Sequence, residues 1–81
     1  MQSTEAFETA TRKATKGHRD WLVWSDRGGW KVAPYSAEAI KRALLAVGTA
    51  GRFFGISARG EKLRYGWKVG LIMFRNARMG F

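Results

Sequence analysis

The sequence predicts a small α+β domain, with two helices on one face of a four-stranded, mainly antiparallel sheet in the order α-β-β-α-β-β. Three observations lead there. Two segments begin with a capping serine or threonine and carry apolar residues at helical spacing. A tryptophan-rich stretch reverses at a glycine-rich turn. A run from Leu63 to Phe74 alternates apolar and polar residues.

The elements follow in order. Ser3 or Thr4 caps a first helix through about Lys16, with Glu5 and Glu8 early and Arg12, Lys13 and Lys16 late, as the helix dipole favours. Its apolar face, Phe7, Ala10 and Ala14, is thin, which predicts loose docking, and Gly17 is the expected stop. Trp21 to Ala33 reads as a hairpin turning at Ser25-Asp26-Arg27-Gly28-Gly29, with Pro34 closing its second strand. Ser36 caps a second helix from Ala37 to about Val47, whose apolar face is Ile40, Ala43, Leu44 and Val47. Arg52 to Ser57 starts a third strand and Ala58 to Lys62 turns the chain. A long fourth strand then runs from Leu63 to Phe74, with Tyr65, Trp67, Val69, Leu71 and Met73 on one face and Arg64, Gly66, Lys68 and Gly70 on the other. The segments 1–3 and 76–81 are expected to be flexible.

The halves also parallel one another. Ser3-x-Glu5-Ala6-Phe7 matches Ser36-x-Glu38-Ala39-Ile40, and Arg27-x-Gly29-Trp30-Lys31-Val32 matches Arg64-x-Gly66-Trp67-Lys68-Val69. A true duplication would place two αββ units about a pseudo-twofold axis.

Composition bounds the chemistry. The 81 residues fit one domain, and eleven aromatics supply enough apolar surface to fold it. With no cysteine, disulfides, thiolate zinc sites and cysteine nucleophiles are excluded. No paired carboxylates, phosphate loop, nucleophile elbow or metal-ligand spacing is visible, so no catalytic residue, metal or cofactor is expected. The first twenty residues hold no apolar signal region and the apolar run Leu71 to Phe74 is far too short to span a membrane, so the expected location is the cytoplasm.

Charge is the strongest signal. The net charge is +9, and it is unevenly placed: residues 1–40 contribute +1 and residues 41–81 contribute +8, with Glu61 the sole acid of the second half. Solubility would be served by mixed signs, whereas a one-sided field attracts polyanions. The expected anion-binding set is Lys41 and Arg42 on the second helix, Arg52, Arg59, Lys62, Arg64 and Lys68 on the hairpin, and Arg75 and Arg78 in the tail. Two short helices cannot cover both faces of the first hairpin, so Trp24 and Phe53 are expected to be exposed for stacking or interface contact, and Trp67 to lie in the core. The implied partner is DNA or RNA bound through residues 41–78 without sequence preference, or an acidic protein or nucleoprotein complex. The long fourth strand also offers an edge to a second copy.

Two resemblances accompany this reading. A short, basic, cysteine-free chain with excess aromatics resembles in general style the phage-encoded inhibitors of host defence complexes, anti-CRISPR proteins among them, which implies an acidic or nucleoprotein target. Lys16-Gly17-His18 ahead of the Trp21 strand resembles the catalytic histidine region of small ribonuclease toxins with a double-stranded-RNA-binding-like fold. That likeness covers about twenty residues and lacks the serine usual between Gly and His.

Overall fold

The computed structural model describes residues 1–80. The order is α1 (Ser3–Gly17), β1 (Trp21–Asp26), β2 (Gly29–Pro34), α2 (Ala37–Val47), β3 (Phe53–Ile56), β4 (Lys62–Tyr65) and α3 (Trp67–Met79). The four strands form one antiparallel sheet in the spatial order β2-β1-β3-β4. The α+β class and the four-stranded antiparallel sheet agree with the sequence reading, and a third helix is added to it.

The helices do not share a face. Leu22, Trp24 and Phe53 point toward α2 and pack with Ala39, Ile40 and Ala43. Val23 and Ile56 point the other way and pack with Ala6, Ala10 and Ala14 of α1. The sheet is therefore sandwiched, with α1 on one side and α2 and α3 on the other. The expected exposure of Trp24 and Phe53 is corrected accordingly: they are 4% and 0% accessible. α1 is not loosely docked either. Its alanines at i, i+4 and i+8 are fully buried, because small side chains let the helix backbone lie close to β1.

The sandwich also overturns the duplication. A twofold relating the antiparallel neighbours β1 and β3 would run through the sheet and bring α1 and α2 to the same face. Moreover, Trp30 lies in β2, whereas its proposed counterpart Trp67 opens α3.

The predicted long fourth strand is the largest correction. The chain is extended only from Lys62 to Tyr65, breaks at Gly66, and is helical from Trp67 to Met79. The alternation from Tyr65 to Met73 coexists with a second pattern: Gly70, Met73, Phe74 and Ala77 fall at i, i+3, i+4 and i+7, and this is the side turned inward. Most of Leu71 to Met79 are good helix formers, so residues 76–79 belong to α3, and Ser3 likewise belongs to α1. Phe81 lies outside the described residues.

Gly70 fixes where α3 rests. A methyl group there would come 2.5 Å from Leu44 Cδ2 and 2.9 Å from Phe53 Cε1. The absence of a side chain lets α3 approach α2 and the Phe53 ring.

Local signals worked elsewhere. Ser36 Oγ accepts the Ala39 N–H at 3.1 Å and caps α2. The hairpin turns through Arg27 and Gly28, with Asp26 Oδ1 accepting the Gly28 N–H at 2.8 Å and Gly29 at φ 104°. α1 starts without a side-chain cap at Gln2, and its left-handed C-cap is His18 at φ 51°, not Gly17.

Candidate polyanion-binding surface

All nine cations named from the sequence are exposed. One ion pair is present among the described residues, Arg42 Nε to Glu38 Oε1 at 4.0 Å, and both of its side chains are largely exposed. Among the described residues the other basic groups meet no carboxylate in an ion pair, which leaves them available to external anions.

The fold separates the nine into groups. Along β4, Lys62 and Arg64 alternate onto the α1 side of the sheet, registered with Ile56 and Phe54. Gly66 continues that alternation, and the Arg52 guanidinium lies against it: a methyl group on Gly66 would be 3.7 Å from Arg52 Cζ. Lys68 follows in the first turn of α3. Arg52, Gly66, Trp67 and Lys68 line one concavity with Thr49 and Val69, and no carboxylate is among them. The α3 N-terminus adjoins it, starting at Gly66 with no side-chain cap and no acid in its first turn. Its free N–H groups add partial positive charge to that of the two side chains.

The other cations lie elsewhere. Arg75 and Arg78 flank a separate groove with Leu71, Phe74 and Met79, with Arg78 about 15 Å along the helix axis from Lys68. Arg59 is in the β3–β4 turn, where Gly60 faces Thr15 of α1. Lys41 is exposed on α2. Arg42 lines a third, open concavity with Arg27, Lys31, Trp24, Asp26 and Leu45. There three cations are met by Asp26 and by Glu38, the partner of Arg42, so its field is weaker than that of the β4–α3 junction.

Sequence reasoning missed Trp67. Among the described residues every aromatic is buried or half-buried, so no ring stands free on the surface. Trp67, expected in the core, is half-buried and lines the same concavity as Arg52 and Lys68. The signal available was Gly66, which ends the strand and moves the next residue off the sheet. Lys62 has a second role, since its Nζ lies 4.2 Å from the Phe7 ring centroid and 5.2 Å from that of Phe54. It covers the rim of the α1-side core as well as carrying charge.

His18 is exposed at the end of α1, in the left-handed conformation. No three His, Asp or Glu side chains gather into a potential metal cluster among the described residues, and no helix there is long and apolar enough to cross a membrane. No protein-family profile matches the chain, and no curated protein or solved structure matches it.

Proposed function

We propose that this protein binds nucleic acid with little regard to sequence, through the surface formed by Arg52, Lys62, Arg64 and Lys68, with Trp67 as a partly accessible stacking ring. The observation that carries this reading is the carboxylate-free concavity at the β4–α3 junction, where two cations, a half-buried indole and an uncapped helix start adjoin. Phosphate oxygens suit such donors, and the row of cations along β4 extends the contact beyond one phosphate. A partly accessible ring beside cations accepts any base, because every base has a stacking face.

The test is fluorescence anisotropy with labelled single-stranded DNA, duplex DNA and RNA of mixed sequence over a range of salt. Binding that weakens steeply with salt and is lost on charge reversal at Arg64 and Lys68 is the expected result. No binding at low salt, or binding indifferent to those reversals, sinks the proposal.

A further inference from the structure

We propose that the outer face of α3 is a docking site for an acidic amphipathic helix of a partner protein, held through Leu71, Ile72 and Met79 with Arg75 and Arg78 pairing its carboxylates. This is independent of nucleic-acid binding at the other end of the helix.

Seven large aliphatic side chains are exposed in this protein among the described residues, and four of them, Val69, Leu71, Ile72 and Met79, are on α3. Isolated exposed apolar residues need no explanation, but a concentration on one helix does. Inward, α3 uses Gly70, Met73, Phe74 and Ala77. Directly opposite, at i, i+4, i+7 and i+11, stand Lys68, Ile72, Arg75 and Met79, so the outward line alternates cation and apolar group. Ile72 is 59% and Met79 62% accessible. Leu71, Phe74, Arg75, Arg78 and Met79 line a groove beside that line.

Charge complementarity selects the occupant. A second copy would bring like charges together across the face, in a chain that is already at +9. A bilayer would be met first by Lys68 and Arg75, which occupy the middle of the outward face, whereas interfacial helices keep basic groups at the margins of an apolar face. A helix with apolar residues on one stripe and carboxylates beside them satisfies both kinds of group at once. Its apolar side chains fill the spaces around Ile72 and Met79, and its acids meet Arg75 and Arg78.

The probe is a short synthetic helix with leucine at the heptad core positions and glutamate elsewhere, titrated against the whole protein by anisotropy. Binding is expected, with affinity falling about tenfold on Ile72→Ser and again on Arg75→Ser, the size of effect one anchoring side chain gives. Both substitutions are at exposed positions, and an unchanged circular dichroism spectrum separates lost docking from lost fold. A polyglutamate peptide should bind at least tenfold more weakly. The proposal is overturned if the leucine–glutamate helix does not bind, if Ile72→Ser leaves its binding intact, or if polyglutamate binds equally well. It is likewise overturned if Ile72 instead mediates self-association in sedimentation, or capture of phosphatidylserine vesicles while the peptide is ignored.

Discussion

The ammonium group of Lys62 stands over the ring of Phe7, 4.2 Å from its centroid, joining the β4 edge strand to α1. Phe7 in turn packs edge-on against Phe54 at 5.1 Å and tilted against Trp30 at 5.6 Å. A surface cation thus closes the open side of an aromatic cluster. Lys62→Ala should lower stability by about 1 kcal/mol, through the lost cation–π contact and the uncovered rings. Arg64→Ala, on the same strand, should change it by less than about 0.5 kcal/mol. Urea unfolding of the two variants checks the contrast.

Gly70 sets two effects against each other. Alanine in a helix interior is ordinarily better than glycine by about 1 kcal/mol. Here the added methyl would press on Leu44 and on the buried Phe53 ring, and overpacking of this kind costs about 1–3 kcal/mol. Gly70→Ala should therefore be destabilising overall. In a Leu44→Ala background the contact with Leu44 is relieved while that with the Phe53 ring remains, so the same substitution should be less destabilising there. Thermal melts of the four-member cycle decide it.

His18 holds a positive φ without being glycine. That conformation costs an ordinary residue about 1–2 kcal/mol. His18→Gly should raise stability by about 0.5–1 kcal/mol, and His18→Val should lower it. Chemical denaturation reads both.

The phenol of Tyr65 is pushed above its ordinary range chiefly by burial, with smaller contributions from the Asp20 carboxylate and from Tyr35. The neutral form is the one the fold favours, so below about pH 10 the group adds no pH dependence. Above it the unfolded chain loses the proton first, the folded state holds more protons, and stability falls until the folded pKa is passed. Tyr65→Phe should flatten this alkaline limb, as measured by denaturation at several pH values.

For the binding surface, Arg64→Glu and Lys68→Glu should each weaken DNA and RNA binding by similar factors on every sequence. Each phosphate contact removed should reduce the slope of log affinity against log salt by about one. Anisotropy titrations at several salt concentrations give both numbers. A loss confined to one sequence would contradict the assignment.

Much of this architecture was legible in the sequence where the signals are local. The Ser36 cap and the glycine-rich reversal after Asp26 each depend on neighbours a few residues away. The cations of the second half were placed at the surface because burying an unpaired charge is prohibitive. What stayed hidden depended on distant contacts. Gly70 argues against a helix until Phe53 is known to lie beneath it. Trp24 and Phe53 are covered on a side where Met73 and Phe74 of α3 also pack, and the Tyr65-to-Met73 alternation hides that helix behind a strand pattern. That alternation also points Trp67 into the core, whereas the helix start brings it to the concavity that Arg52 and Lys68 line.

The sheet acts as a bulkhead. Leu22 and Trp24 belong to one apolar compartment and Val23 to the other, and the clusters meet only through the strands that divide them. A void opened beside Ala10 cannot be filled by side chains moving across from beside Ile40. Damage on the two sides should then accumulate independently, each compartment losing what it loses alone. Both losses nonetheless lower one folding free energy, because the two compartments share the sheet, so a variant weakened on one side tolerates less on the other even though the two sides cannot repack into each other.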